Sequence, residues 1–241
     1  MRFITAMISD QGGKAVNQDY AAFHEEYQGG IWALADGLGG YQSGEIAAQL
    51  AVQTILDLYR PDDPFTSIKN GIERSQQILH EEQKSSASRR SMRTTIVVLA
   101  LQGNCANWAH VGDSRLYHFR AGQLLTQTKD HSVCQALVNA GEISISEIRF
   151  HEDRNRLYRV LGSDGDVKPA FLTEEVLIQK GDAFLLCSDG FWEYVTEEEM
   201  ESTRVRVSSP VEWLEAMESI LARRVSEGND NYSAVAVFIV E

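Results

Sequence analysis

Five times in this chain an aspartate stands where a short apolar run meets a turn. Ile31-Trp32-Ala33-Leu34-Ala35 ends in Asp36-Gly37, and Trp108-Ala109-His110-Val111 ends in Gly112-Asp113. Ala183-Phe184-Leu185-Leu186-Cys187 ends in Ser188-Asp189-Gly190. Asp230-Asn231 directly precedes the last apolar run, and Asn17-Gln18-Asp19 directly precedes an early one. A single Asp-Gly or Asn-Asp is an ordinary turn pair. Five of them bounding buried strands restrict the fold to packed sheets whose strand ends meet along one rim, where glycine lets the backbone approach closely.

Grouped carboxylates repel one another. Two unit charges about 4 Å apart cost roughly 1 kcal/mol in water and about 4 kcal/mol at an effective dielectric of 20. Asp19, Asp36, Asp113, Asp189 and Asp230 on one rim therefore call for cations between them. Hard oxygen donors without histidine or cysteine select Mg²⁺ or Mn²⁺ over zinc. Two such ions about 3.5–4 Å apart can share a water, lower its pKa and direct it at phosphorus.

The rest of the pattern supplies the layers. Ile31–Ala35, Thr95–Leu101, Asn107–Val111, Ala183–Cys187 and Ala234–Val240 read as buried strands, and Arg115–Arg120 followed by Ala121-Gly122 reads as a strand entering a hairpin. Helical spacing marks Ser43–Tyr59, Pro64 to about Lys84, and Pro210–Val225, the second and third opening on a proline. The expected fold is α+β, with helices layered on two antiparallel sheets. Residues 131–170 mix charged and apolar side chains and read as a small helical insertion, either a lid or a long connection.

Composition narrows the function. A net charge of −13 over 241 residues argues against nucleic-acid binding, which needs a basic face. A chain of this length buries roughly 70–75% of its unfolded surface, so one core needs no staples. Cys105, Cys134 and Cys187 are far apart, which fits buried thiols in a reducing compartment. The N-terminus has no signal-peptide character, and the longest apolar run, Ala234–Val240, is far short of a membrane span. A cytoplasmic protein, monomeric by default, is expected.

Other chemistries fail on spacing. A cysteine-dependent phosphatase needs arginine six residues after its nucleophile, but Val111, Ala140 and Glu193 occupy those positions. Gly37-Leu38-Gly39-Gly40 lacks the Gly-Lys-Ser/Thr of a phosphate-cradling loop, the six histidines lack zinc spacing, and Ser114 lacks a nucleophile elbow. His131 beside Asp130 reads as a structural residue.

The order Asn17-Gln18-Asp19, Asp36-Gly37-Leu38-Gly39-Gly40, Gly44-Glu45, Thr94-Thr95 and Val111-Gly112-Asp113-Ser114-Arg115 is specific. It continues with Asp130-His131-Ser132, Leu161-Gly162, Gly181-Asp182, Cys187-Ser188-Asp189-Gly190 and Asp230-Asn231. Together these ten pieces resemble the PPM (type 2C) serine/threonine protein phosphatases, in their short bacterial stand-alone form, from about residue 5 to 240. The resemblance implies a single domain built as a four-layer α-β-β-α sandwich, with a binuclear metal site at one end. Asp19, Asp36, the carbonyl of Gly37, Asp189 and Asp230 would hold two tight ions, and Asp113 with Asp189 a third, weaker one. Residues 131–170 would be the flap beside the site. The substrate would be a phosphorylated protein, with a serine/threonine kinase and its targets as partners.

Three departures matter. Lys14 stands where the family usually has a phosphate-gripping arginine, and lysine offers only a point charge. Leu38 stands where eukaryotic relatives often carry a histidine, and Arg93 where glycine is usual. Within the family, Ser188–Glu193 and Met92–Thr95 resemble phosphatases encoded with type VI secretion systems. Two rivals remain: a catalytically silent phosphoprotein-binding regulator, against which all five aspartates speak, and a phosphoesterase acting on small molecules.

Overall fold

Alternation within the apolar runs decides the layers. Every side chain from Ile31 to Ala35 is buried, yet neighbours enter different cores. Ile31, Ala33 and Ala35 join Ala47, Ala51, Ile55, Ile68 and Ile72, which lie on helices. Trp32 and Leu34 point the opposite way and join Leu99, Leu116, Phe184, Leu186 and Val235. A strand with period-two side chains and apolar matter on both faces must lie inside the stack.

The computed structural model describes residues 1–39, 43–172 and 176–240; Gly40 of the glycine cluster lies outside the described residues. In chain order the strands are β1 (Phe3–Asp10), β2 (Asp19–Glu26), β3 (Gly29–Leu38), β4 (Arg93–Thr94), β5 (Ile96–Gln102) and β6 (Cys105–Val111). They continue as β7 (Arg115–Arg120), β8 (Gln123–Gln127), β9 (Ala170–Phe171), β10 (Val176–Leu177), β11 (Ala183–Cys187) and β12 (Tyr232–Ile239). The α-helices are α1 (Ser43–Asp57), α2 (Pro64–Ser85), α3 (Val133–Ala140), α4 (Asp189–Trp192), α5 (Glu197–Arg204) and α6 (Pro210–Leu221).

One sheet has the order β1-β12-β11-β7-β8 and the other β10-β6-β5-β3-β2, with β4 beside β3 and β9 beside β6. All these pairs are antiparallel. The inner faces meet at Trp32, Leu34, Phe184 and Leu186. Helices α1 and α2 cover one outer face, while Trp213, Leu214 and Met217 of α6 cover the other over Leu185, Ala236 and Phe238. The expected α+β four-layer sandwich is what the chain forms.

Local chemistry explains the helix ends. The Asp63 carboxylate accepts from Thr66 N at 3.1 Å ahead of Pro64, and Ser209 caps α6 ahead of Pro210 in the same manner. Helix α1 stops at Asp57, two residues short of the predicted Tyr59 and shortly before Pro61, and α6 stops at Leu221 rather than Val225. Strand β1 was not predicted. It is an edge strand in which Ile4 and Met7, on opposite faces, are both exposed, so its apolar residues show no clean alternation. Among the described residues no helix is long and apolar enough to cross a membrane. The thiols of Cys134 and Cys187 are buried, whereas Cys105 is only half-buried.

The 131–170 segment contains α3 and a 3-10 turn at Ile145–Phe150, and it is tied to the body. Leu161 N donates to Thr94 O at 2.9 Å, Arg154 Nε donates to Glu193 Oε1 at 2.7 Å, and Arg149 pairs with Glu197.

Candidate metal centre

The strand directions bring the five aspartates to one end of the sandwich. Asp19 opens β2 and Asp36 lies near the end of the antiparallel β3, so the two are direct cross-strand partners. Asp113 follows β6, which runs the same way as β3 on the far side of β5. Asp189 follows β11 and Asp230 precedes its antiparallel partner β12. A cavity of about 410 Å³ opens here, walled by Asp36, Asp113, Asp189, Asp230 and Lys14, with Asn155 and Leu157 reaching in from the 131–170 segment. Asp19 is buried behind that wall.

The small polar residues of the motifs hold this rim in place. Ser188 Oγ donates to Asp19 Oδ2 at 2.6 Å and accepts from Ser233 N at 3.0 Å, joining the two sheets beneath the carboxylates. Asp36 N donates to Thr95 Oγ1 at 2.9 Å, and Thr94 Oγ1 donates to Asp36 O at 2.8 Å. Asn231 Oδ1 accepts from Gln18 N at 2.9 Å, while its amide donates to Gln11 O and Val16 O. A Cβ on Gly37 would lie 2.1 Å from Gly44 O, so only glycine permits that approach of β3 to α1.

The electrostatics are those of anions gathered and buried together. Burial pushes the Asp19 carboxyl up to about 6, and it pushes Asp113 up to about 7 with Asp130 adding to the effect. Asp36 and Asp189 are held well above the ordinary carboxylate range, first by burial and then by the neighbouring aspartates. Glu193, four residues beyond Asp189, is also raised, with burial the largest cause. Lys14 Nζ lies 3.4 Å from Asp230 Oδ1, both side chains half-exposed, so its charge is directed at a carboxylate.

The residues fit hard divalent cations. Asp19 Oδ1 and Asp113 Oδ1 are buried with no hydrogen-bond partner, an arrangement that costs stability unless a cation supplies the missing charge. The donors are all oxygens, as Mg²⁺ and Mn²⁺ prefer. Among the described residues no three carboxylate, imidazole or thiol side chains already surround one point. Each ion would then take one or two carboxylates and complete its shell with carbonyl or water, the habit of a small hard cation such as Mg²⁺.

His131 is structural. Its Nδ1 accepts from Gly112 N at 3.2 Å, it stacks on His110 at 4.7 Å, and burial pushes its pKa down to about 3. Sequence reasoning missed Glu193 and Trp192. The spacing of Glu193 from Asp189 on a short helix places them on one face and was a usable signal. For Trp192 no local signal exists, because its contact with Asp113 O spans 79 residues.

Two layers of helix over two antiparallel sheets, with an acidic rim suited to divalent cations, define a metal-dependent hydrolase of the phosphatase sandwich class. Residues 9–226 match the family model for protein phosphatase 2C, and the chain belongs to that family. It is 32% identical over 204 residues to protein phosphatase PhpP of Streptococcus pneumoniae, covering 81% of both chains. The fold superposes on the serine/threonine phosphatase PstP/Ppp of Mycobacterium tuberculosis with a TM-score of 0.87 at 28% identity, covering 99% of each chain. A structure of the PstP catalytic domain in complex with two manganese ions superposes with a TM-score of 0.84 at 27% identity, again over 99% of each chain.

Proposed function

We propose that this chain is a metal-dependent serine/threonine protein phosphatase that hydrolyses phosphoserine and phosphothreonine in proteins. The observation that carries the reading is the rim itself: buried carboxylates with unpartnered oxygens and raised pKa values around a 410 Å³ cavity in a phosphatase 2C fold. Its partners are phosphorylated proteins, among them a serine/threonine kinase and its targets.

In this reading Asp19, Asp36, the Gly37 carbonyl, Asp189 and Asp230 hold two Mn²⁺ or Mg²⁺ ions, and Asp113 with Asp189 holds a weaker third. Bound there, such cations lower the pKa of water and neutralise the phosphoryl oxygens. The chain's own groups do the rest. Ser188 and Thr95 keep Asp19 and Asp36 aimed at the rim through bonds of 2.6 and 2.9 Å. Lys14, half-exposed on the cavity wall, offers its ammonium to the substrate phosphate. Asn155 and Leu157 form the wall against which the flanking peptide rests. No cysteine serves as nucleophile: Cys187 lies beneath the rim, where burial pushes its thiol far up, Cys134 is buried too, and Cys105 is not among the residues that line the cavity. The five carboxylates that a silent regulator would lack are all in place.

The test is hydrolysis of p-nitrophenyl phosphate and a phosphothreonine peptide by the purified chain, chelated with EDTA and then supplied with Mn²⁺ or Mg²⁺. Metal-restored turnover, insensitive to thiol alkylation and absent on nucleotides, is expected. Inactivity with every divalent ion overturns the reading.

A further inference from the structure

Trp192 connects the 131–170 segment to Asp113. Its ring is 1% exposed at the end of α4, and its indole N–H donates to the backbone carbonyl of Asp113 at 3.0 Å. Asp113 needs such a restraint. It follows Gly112, whose φ of +107° places the turn where side chains are rarely found, and its own buried Oδ1 has no hydrogen-bond partner.

Two guanidinium groups pack on the indole. Arg115 Cζ lies 3.5 Å from the ring centroid and Arg149 Cζ 5.6 Å from it. Arg115 is locked by two bonds to Asp130, of 2.9 and 2.7 Å, and donates to Tyr117 Oη at 3.2 Å. Tyr117 Oη in turn donates to Glu197 Oε1 at 3.2 Å, and Glu197 pairs with Arg149. The circuit Trp192–Arg115–Tyr117–Glu197–Arg149 therefore closes on itself. Arg149 is the member contributed by the 131–170 segment. Its side chain is 4% exposed, and its Nη1 has no acceptor. A buried guanidinium with an idle donor is costly, and that cost falls where the segment meets the rim.

We propose that Trp192 is a positioning residue for the cation at Asp113, and that Arg149 is the pin through which the 131–170 segment adjusts that position. The inference rests on the reading that Asp113 binds the weakest of the cations. Loss of an outer partner that orients a ligand typically costs about 10–100-fold in metal affinity.

The experiment uses the full chain and two readouts besides turnover. Mn²⁺ is titrated calorimetrically into wild type, Trp192→Phe, Arg149→Lys and Asp113→Asn. Phenylalanine keeps an aromatic face for the two arginines but has no N–H to donate. The tight ions are expected to bind Trp192→Phe as they bind wild type, and the weakest ion about tenfold less tightly. Arg149→Lys is expected to show a smaller loss at the same site. In parallel, the four tryptophan indole N–H resonances of wild type are followed by NMR through a Mg²⁺ titration, with Trp192 assigned by its absence from the variant. Its resonance is expected to shift in the last phase of binding.

Unchanged weak binding in Trp192→Phe, while Asp113→Asn loses it, overturns the inference and leaves the role of Asp113 standing. Unchanged weak binding in Asp113→Asn overturns that role and the inference with it. Should Trp192→Phe fail to fold, the wild-type titration decides: four indole resonances that stay still in the last phase overturn the inference.

Discussion

Asp19 and Asp36 face each other directly across the β2–β3 ladder. Like charges in that relation weaken a strand pair. Both carboxyls are pushed upward, Asp19 to about 6 and Asp36 well beyond the ordinary range, with burial the first cause. The register that sets these two carboxylates of the candidate metal centre side by side is thus one that a cation would stabilise.

Removing one of these charges separates function from stability. Asp36→Asn and Asp189→Asn are each expected to abolish turnover. In EDTA the same variants should melt several degrees above chelated wild type, since relieving roughly 1 kcal/mol or more of repulsion shifts a chain of this size by about 2–4 °C per kcal/mol. Differential scanning fluorimetry with and without Mn²⁺ measures both effects. Near-normal turnover in either variant refutes the site.

Lys14 forms only a half-exposed pair with Asp230, at 3.4 Å. Such a pair is worth about 0–1 kcal/mol, weak enough to yield to a phosphate. Lys14→Ala is expected to raise KM for a phosphopeptide by about threefold to fivefold with kcat retained, a change of at most about 1 kcal/mol. Lys14→Arg is expected to lower KM, because its planar fork meets phosphate with two donors. Steady-state kinetics at saturating Mn²⁺ distinguish these results from a change in kcat.

Burial and the nearby His110 and Arg159 keep His131 neutral, with its pKa down at about 3. Below the ordinary histidine value of about 6.5 the unfolded chain takes up a proton that the native ring refuses, so this contribution falls as pH drops from about 6.5 towards 3. Urea unfolding of His131→Asn should therefore show a shallower loss between pH 6.5 and 4 than wild type, by on the order of 1 kcal/mol after solvent screening. Equal slopes contradict the assignment.

Arg115 and Asp130 form a two-bonded pair in which both side chains are 2% exposed. Asp130→Asn removes the two-bonded partner and leaves the guanidinium only the longer pair with Glu197, at 3.6 Å, and is expected to cost about 3–5 kcal/mol. At about 2–4 °C per kcal/mol the melting temperature should fall by roughly 10 °C. A fall of only a degree or two would show that Glu197, Tyr117 and Trp192 hold Arg115 without Asp130.

Much of this was legible along the chain because it is periodic or local. Ile31–Ala35 and Ala183–Cys187 had to be strands buried on two faces, and Pro64 and Pro210 had to open helices. The aspartates at the strand ends pointed to a cation site, since grouped carboxylates repel one another. β1 escaped notice, because this edge strand exposes apolar residues on both faces, Ile4 on one and Met7 on the other, and so mixes its pattern. Which residues stand beneath and beside the rim was also hidden. Ser188 meets Asp19 across 169 positions, and Gln18 meets Asn231 across 213. Lys14, read as a hand for phosphate, lies 3.4 Å from Asp230, a neighbour that the sequence did not announce. Local periods and turn chemistry determined most of the elements, the layering of helices on sheets and the run of acids at the strand ends. Only the packing of the two sheets decided that Asp19 opposes Asp36, that Lys14 meets Asp230 and that Trp192 holds Asp113. Those pairings follow from strand register and sheet stacking, which join distant parts of the chain and leave no mark in any one segment.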